Sequence, residues 1–231
     1  MELEKSEFLK RKAAEKAVEF IKSGMVLGFG TGSTFKYVLD ILAEKIKSKE
    51  IENIIGIPTS NKTLELAQKL DIPCGKFSDH PIIDLTIDGA DEVDSKLNLI
   101  KGGGGALLHE KIIAQASKKY IIIVDESKRS IYLGEKWHVP IEVVKMALEV
   151  ETKYLQSLGA RVVLRENDDG TPFVTDEGNY ILDTNFGIMK SPKKIAKKLD
   201  RRAGIVGHGI FLGMTDRVIS ASKNGVQVLV K

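Results

Sequence analysis

The sequence predicts an α/β protein in which a domain with a largely parallel sheet is combined with a smaller α+β domain. In the first half, short strands that are apolar on both faces alternate with helices, which is typical of a parallel sheet covered on both sides. In the second half the elements follow the order β-α-β-β-α-β of a ferredoxin-like unit. With 231 residues, 42% of them hydrophobic, the chain suffices for one large domain or two small ones with a buried core.

The first half contains four predicted strands separated by helices. In chain order we expect a helix at about 5–22, a strand at 25–27, a helix through Tyr37 and Leu42, a strand at 54–57, a helix at 61–70, a strand at 82–87, a helix that follows the glycines at 102–105 and ends at about Lys118, and a strand at 120–124. This alternation is Rossmann-like, and in such sheets ligands bind beyond the carboxyl ends of the strands. The motifs considered below follow these strands.

The composition changes after about residue 133. We expect a helix at about 141–158 after Pro140, a strand at 161–165, a hairpin at 175–183 around Glu177-Gly178, a helix after Pro192, a strand at 204–207, and a final hairpin of 217–220 and 226–230 around Asn224-Gly225. The last hairpin is expected to return to the first sheet. The sequence therefore predicts one domain of residues 1–132 and 208–231 and a small domain of residues 133–207.

Charge and composition argue against several classes of protein. A formal net charge of +3 gives no basic stripe for nucleic acid, and the single cysteine, Cys74, excludes an internal disulfide and fits a reducing cytoplasm. The N-terminal stretch is an amphipathic helix with charges throughout rather than a signal peptide, and the aliphatic run Ile121–Val124 is too short to span a bilayer. We expect a soluble cytoplasmic protein that binds neither nucleic acid nor membranes.

The first strand leads into the glycine-rich loop Gly28-Phe-Gly-Thr-Gly-Ser-Thr34. Glycines let a ligand approach backbone N–H groups, and the next helix offers the positive end of its dipole to a phosphate. The hydroxyls of Thr31, Ser33 and Thr34 add donors, although an ordinary tight turn has a similar composition. A dinucleotide or S-adenosylmethionine site is disfavoured, because residues 57–60 lack the acidic residue that grips a ribose in those folds.

The third strand ends in Asp88-Gly-Ala-Asp91. Carboxylates at the edge of a sheet can hold sugar hydroxyls, exchange protons with them or bind Mg²⁺, whereas turn formation is the alternative explanation. We favour function for Asp88 and Asp91 and turn formation for Asp94. The four histidines are scattered without zinc-binding spacing, so a protein-built metal site is not expected.

The segment Lys101-Gly-Gly-Gly-Gly105 and the helix after it are the least ordinary part of the sequence. A flexible linker rarely lies between a strand and a helix inside a sheet, so a backbone anion site with an attendant lysine explains the glycines better. On the following helix, Glu110 has only apolar neighbours three and four positions away, which favours a raised pKa and a general base. The alternative is a glutamate that reaches solvent. Lys128, after the last strand of this half, is expected to reach a phosphate or an oxyanion, with an ordinary solvent-exposed turn as the alternative explanation.

Four segments in series resemble ribose-5-phosphate isomerases of the A type. They are GFGTGST at 28–34, DGADEVD at 88–94, KGGGGALLHEK at 101–111 and DESK at 125–128. Their order and spacing agree with the family, and the likeness runs over most of the chain. The resemblance implies interconversion of D-ribose 5-phosphate and D-ribulose 5-phosphate through an enediolate, in the non-oxidative pentose phosphate pathway. It implies no metal, no cofactor and a homodimer or homotetramer.

The resemblance also implies roles for individual residues. Glu110 is expected to move a proton between C1 and C2, with Asp88 at the sugar hydroxyls and Lys101 near the enediolate charge. The residues expected to line the substrate site are Thr31, Gly32, Ser33, Thr34, Asp88, Gly89, Ala90, Asp91, Lys101, Gly102, Gly103, Gly104, Lys128 and Lys10. The larger domain is then the catalytic, sugar-phosphate-binding one, and the smaller serves in oligomerisation or as a lid.

Three other functions compete with this interpretation. Related α/β domains act as sugar-phosphate sensors in transcription regulators, but those proteins usually carry a helix-turn-helix module, and only one short helix precedes the first strand here. An acyl-CoA transferase with Glu110 as nucleophile would show activity with acyl-CoA. A methyltransferase would bind S-adenosylmethionine.

Overall fold

The fold was analysed in a computed structural model that describes residues 2–231, with side chains described from residue 6 onward. The helices are α1 (Glu2–Val18), α2 (Ser33–Lys47), α3 (Asn61–Lys69), α4 (Leu107–Gln115), α5 (Leu148–Ser157) and α6 (Pro192–Leu199). The strands are β1 (Val26–Phe29), β2 (Ile55–Pro58), β3 (Leu85–Gly89), β4 (Glu92–Val93), β5 (Leu99–Ile100), β6 (Tyr120–Asp125), β7 (Val139–Val143), β8 (Arg161–Leu164), β9 (Tyr180–Asn185), β10 (Ile205–His208), β11 (Ile210–Phe211), β12 (Arg217–Ser222) and β13 (Gly225–Val230). Short 3₁₀ turns cover Glu126–Lys128 and Lys145–Ala147.

The chain divides into two compact units. The first unit contains the residues up to Ala90 together with His109–Lys128 and Met214–Lys231. The second unit contains Asp91–Leu108 and Arg129–Gly213. Residues 91–108, 129–132 and 208–213, which the sequence prediction grouped with the larger domain, thus belong to the second compact unit.

The first unit is built on a six-stranded sheet in the order β13-β12-β6-β3-β1-β2. All neighbouring pairs from β12 to β2 are parallel, and only β13 runs antiparallel to its neighbour. This confirms the prediction of a Rossmann-like, largely parallel sheet. Strand β1 lies between β2 and β3, so the chain order reverses there, and the loops after β1 and β3 leave the sheet at the position where such folds bind ligands.

Apolar strands and small helix residues form the core of the first unit. Every residue of β6 is buried, which explains the aliphatic run 121–124 at its centre. On α1, the residues Ala13, Ala14 and Ala17 are fully buried in the same cluster as Leu39 of α2. Their small side chains let the helix backbone lie close to its neighbours.

The second unit contains a four-stranded antiparallel sheet in the order β10-β7-β9-β8, with α5 and α6 in the connections. The order β-α-β-β-α-β is confirmed. The prediction of a helix starting at 141 is wrong at its beginning, because Val139–Val143 forms strand β7 and the α-helix begins only at Leu148. Val139, Ile141 and Val143 alternate into the core with the period of a strand, and the carbonyl of Pro140 accepts a hydrogen bond from Gly209 N–H at 2.7 Å.

A three-stranded sheet in the order β11-β5-β4 completes the second unit and was not predicted. Its strands contain two residues each, too few for a periodic pattern to reveal them. In residues 2–231, none of the helices has the length and apolar character needed to cross a bilayer.

Candidate active site

Asp88 ties the loop after β1 to the end of β3 in the first unit. Its carboxylate is fully buried, and Oδ1 accepts hydrogen bonds from Thr31 N–H at 3.1 Å and from Gly89 N–H at 2.8 Å. The contact requires glycine at position 30, where a Cβ atom would lie 2.2 Å from Asp88 Oδ1. Two of the predicted motifs, the glycine-rich loop and the Asp88 turn, are therefore joined by direct contacts.

The start of α2 presents hydrogen-bond donors that the described residues leave unused. Gly32 precedes the helix with φ of 121°, a backbone conformation that favours glycine, and no side chain from residue 6 onward caps the helix there. Ser33 is exposed and Thr34 half-buried, and neither hydroxyl has a hydrogen bond within the described residues. Uncapped N–H groups at the N-terminus of a 15-residue helix attract anions, phosphates in particular.

The hydroxyl of Thr31, which the sequence analysis considered as a donor to a ligand, takes part in a hydrogen-bond network within the protein. It lies 2.8 Å from the hydroxyls of both Thr59 and Ser60 and 3.1 Å from that of Thr63, in a cluster at the end of β2 and the start of α3. The Thr63 hydroxyl also donates to the carbonyl of Gly30 at 3.0 Å. The cluster holds the loop after β1 in place, so the side chain of Thr31 shapes the loop from within.

Tyr120 is a residue that sequence analysis treated only as part of an apolar strand. The phenol is buried, and its hydroxyl donates to Asp88 Oδ2 at 3.2 Å. Burial, followed by the negative charges of Asp88 and Glu110, raises the pKa of Tyr120 well above its ordinary value. The phenol therefore stays protonated as a hydrogen-bond donor beside these two carboxylates.

Glu110 lies on α4 and is 3% exposed, among buried neighbours that include Ile113 and Ala114. The expectation that this side chain is buried rather than reaching solvent is confirmed, and its negative charge acts on the phenol of Tyr120. Desolvation of this kind is the setting in which a carboxylate acts as a base near neutral pH.

The two lysines predicted for the site in the first unit differ in their surroundings. Lys10 on α1 forms an ion pair with Glu7 at 2.8 Å, and the Tyr37 hydroxyl donates to the same glutamate. The hydrogen bond and charge of Lys10, with help from Tyr37, lower the pKa of Glu7.

Lys128 is half-buried and ends the 3₁₀ turn after β6, where Asp125 accepts from Ser127 N–H at 2.8 Å.

In the second unit the glycine loop contacts Asp91. Gly103 N–H donates to Asp91 Oδ2 at 2.7 Å, and a Cβ atom at position 103 would lie 2.4 Å from Asp91 Oδ1. Lys101 is 2% exposed; its N–H donates to Gly209 at 2.9 Å, and its ammonium lies 5.8 Å from the centroid of the Phe211 ring. The structure thus brings Asp91 and the glycine loop together within this unit.

The neighbour of Asp91 in the motif, Glu92, has a structural task that the sequence did not reveal. Its carboxylate is fully buried and accepts hydrogen bonds from four consecutive backbone N–H groups at 2.9–3.2 Å, those of Gly134, Glu135, Lys136 and Trp137. Asp94, for which turn formation was predicted, accepts from Lys96 N–H and Asn98 N–H at 2.8 Å each. The acidic motif therefore contains residues that organise loops as well as candidates for the reaction.

Among the described residues, no group of three or more His, Cys, Asp or Glu side chains has an arrangement that would hold a metal ion.

Residues 55–225 match the family model described as ribose 5-phosphate isomerase A (phosphoriboisomerase A). A ribose-5-phosphate isomerase A of Desulfatibacillum aliphaticivorans is 54% identical over 219 residues, which cover 95% of each chain. This chain belongs to the ribose-5-phosphate isomerase A family.

Solved structures of the family share the fold over nearly the whole chain. One is a D-ribose-5-phosphate isomerase in complex with phospho-erythronic acid, with a TM-score of 0.96 and 40% identity over 98% of this chain and 99% of that chain. Another is ribose 5-phosphate isomerase A from Methanocaldococcus jannaschii, with a TM-score of 0.93 and 38% identity over 98% of this chain and all of that one. The family resemblance inferred from the four motifs is confirmed.

Proposed function

We propose that the protein is an aldose–ketose isomerase that interconverts D-ribose 5-phosphate and D-ribulose 5-phosphate in the non-oxidative pentose phosphate pathway. Membership of the ribose-5-phosphate isomerase A family carries this proposal. The four motifs of the family are all present, and the first unit places its glycine-rich loop beside Asp88 at the carboxyl edge of the sheet.

Glu110 is the proposed base. Its carboxylate removes the proton from C2 of the open-chain aldose, and the electron pair forms the C1–C2 double bond of an enediolate. The same proton, now on Glu110, is delivered to C1 while the hydroxyl proton moves from O2 to O1, so that the ketose forms without gain or loss of atoms. Its burial supports this role, because a desolvated carboxylate accepts a proton more readily than an exposed one.

Charge stabilisation at the enediolate oxygens is assigned to Lys101 and to the glycines that follow it. Lys101 has a cationic side chain in a buried environment, where charge interactions are stronger than in water. Asp88 and Asp91 are proposed to hold sugar hydroxyls and to assist ring opening, in line with the family resemblance. Base and charge stabilisation then both come from the chain, and the reaction is proposed to need no metal or other cofactor.

The substrate phosphate is assigned to the start of α2, with Gly32, Ser33 and Thr34 as donors and with Lys10 and Lys128 as cations. The uncapped N–H groups and the two unused hydroxyls support this assignment. A relative with 40% identity was solved in complex with phospho-erythronic acid, which supports a phosphorylated substrate.

Assembly and location are proposed from the family resemblance. The protein is expected to act in the cytoplasm as a homodimer or homotetramer, with residues 1–132 and 208–231 as its catalytic domain. Residues 133–207 are expected to serve in assembly or as a lid.

A proton NMR assay in D₂O with excess EDTA tests the proposal. Purified protein is expected to convert ribose 5-phosphate to ribulose 5-phosphate and to place solvent deuterium at C1 of the product. Exchange occurs because a proton held on Glu110 meets solvent during some turnovers. Absence of conversion by a folded protein would refute the proposal, and conversion only after a divalent metal is restored would refute its metal independence.

A further inference from the structure

Arg165, which directly follows β8, grips the glycine loop from within the second unit. Its Nη1 donates to the carbonyl of Gly102 at 2.9 Å and to the carbonyl of Gly103 at 3.1 Å. Its Nε donates to Asp183 Oδ2 at 2.9 Å, and Nη2 donates to Asp183 Oδ1. A guanidinium is planar and has five N–H donors in fixed directions. That of Arg165 makes four hydrogen bonds, two to Asp183 and two to the glycine carbonyls.

The hydrogen bonds from Arg165 fix two successive peptide groups, Gly102–Gly103 and Gly103–Gly104. In a trans peptide the C=O and the N–H point in opposite directions. The Gly102–Gly103 peptide is held on both edges, since its carbonyl binds Arg165 and its N–H donates to Asp91 at 2.7 Å. The Gly103–Gly104 peptide is held by Arg165 on its carbonyl edge alone. Its N–H, that of Gly104, has no hydrogen bond within the described residues, and Gly104 is exposed.

Two further contacts support the arginine. The Phe173 ring lies against Gly105, where a Cβ atom would be 2.4 Å from it, and the Arg165 guanidinium stacks 5.9 Å from the centroid of that ring. On the other side, Asp183 Oδ1 also contacts His138 Nε2 at 3.0 Å. Burial opposes ionisation of Asp183, but the hydrogen bonds from His138 and Arg165 outweigh it and lower the pKa of Asp183. The Asp183 carboxylate is therefore ionised and holds the Arg165 guanidinium in a fixed orientation.

Four consecutive glycines leave a loop with many accessible backbone conformations, so the direction of each N–H depends on contacts from outside the loop. We propose that Arg165 is a positioning residue for the isomerase reaction, which holds the Gly103–Gly104 peptide so that the Gly104 N–H donates to an oxygen of the sugar phosphate. The inference rests on the proposed function of the glycine loop. It gives the small antiparallel sheet a role in catalysis that does not depend on assembly or on closure of a lid.

The test compares Arg165→Ala and Arg165→Lys with wild type, at temperatures where each is folded. Misplacing one donor by about 1 Å lowers kcat/KM by about 10-fold to 100-fold, and we expect both variants to lose that much. The lysine variant keeps the positive charge, but it lacks the planar guanidinium that hydrogen-bonds Asp183 and the two glycine carbonyls at the same time. Millimolar guanidinium chloride is expected to restore part of the activity of Arg165→Ala, and sodium chloride of equal ionic strength is not. Amide hydrogen exchange over residues 102–105 is expected to accelerate in both variants.

Arg161→Ala is the matched control, because Arg161 lies at the start of the same strand with an exposed side chain. Wild-type kcat/KM in a folded Arg165→Lys protein, or a loss of stability with unchanged kcat/KM and no response to guanidinium, would overturn the inference. If Arg165→Ala does not fold, Arg165→Lys alone decides the matter. An inactive wild-type protein would refute the proposed function instead, while the exchange rates at 102–105 would still test the grip itself.

Discussion

The hydroxyl of Tyr120 donates to Asp88 Oδ2 at 3.2 Å, while the other oxygen of Asp88 accepts two backbone N–H groups. A phenol buried inside a parallel sheet thus connects strand β6 to the carboxylate that shapes the loop after β1. Because burial and nearby negative charge raise the pKa of Tyr120, the donor persists across the neutral and mildly alkaline range.

Removal of this hydroxyl in Tyr120→Phe is expected to lower kcat by about tenfold, since the loop carrying Thr31 shifts when Asp88 loses a donor. A hydrogen bond to a charged group contributes about 1.5–3 kcal/mol, so the free energy of unfolding should fall by an amount in that range. Steady-state kinetics and urea unfolding measure the two effects. Tyr132→Phe, at a 42% exposed tyrosine, is the control and should change neither. Unchanged kcat in Tyr120→Phe would exclude a role for the phenol in the reaction.

Glu92 is expected to matter for stability rather than for chemistry. In Glu92→Gln one carboxylate oxygen becomes an NH₂ group, which faces backbone donors and leaves them unsatisfied in a buried site. We expect a loss of about 1–3 kcal/mol in the free energy of unfolding. Thermal unfolding measures it, with Glu149→Gln at an exposed position of α5 as the control. Equal stability of the two variants would contradict the account of the four N–H contacts.

The Asp183 carboxylate should make the protein sensitive to acid. Its pKa is lowered in the folded state, so its contribution to stability is present above the unfolded value of about 3.8 and is lost as the pH falls through the lower folded value. Asp183→Asn lacks this contribution at every pH. Urea unfolding from neutral pH to below 3.8 should therefore show the two proteins converging in stability as the pH falls. Parallel curves would mean that Asp183 does not stabilise the fold through its charge.

Lys101→Met keeps the length of the side chain and removes its charge. We expect kcat to fall by about 10²-fold, the usual cost of losing one group that stabilises a developing oxyanion, and substrate affinity to fall as well. Steady-state kinetics and calorimetry with ribose 5-phosphate measure the two effects, and Lys96→Met at an exposed position is the control. A change in stability with normal kinetics would assign Lys101 a purely structural role.

Much of the fold and part of the site followed from local sequence patterns. The strands of the first unit are apolar and bounded by glycine or acidic turns, so their position needs no knowledge of distant contacts. The burial of Glu110 followed from its neighbours on one helix, because positions three and four residues away share a face. The turn at Glu177-Gly178 and the hairpin around Asn224-Gly225 were found from the glycine-containing turn residues themselves. The hairpin predicted at 175–183 is wrong in its first arm, because only β9 (Tyr180–Asn185) is a strand there.

The remainder depends on contacts between residues far apart in the sequence. Strand β7 was missed because Pro140 was taken as the residue before a helix, whereas Pro140 sits inside the strand opposite Asp183. Tyr120 and Arg165 have no local signal of function, since their importance comes from Asp88, 32 residues away, and from Gly102, 63 residues away. The internal use of the Thr31 hydroxyl likewise depends on Thr59, Ser60 and Thr63.

The most direct test of the central claim is the kcat for conversion of ribose 5-phosphate in excess EDTA by wild type and by Glu110→Gln. Loss of the base should lower kcat by about 10²–10⁴-fold while calorimetry still detects binding of the sugar phosphate, because the residues that hold the substrate remain. Glu65→Gln, at an exposed glutamate of α3, should retain wild-type kcat. Wild-type turnover in a folded Glu110→Gln protein would contradict the assignment of the base.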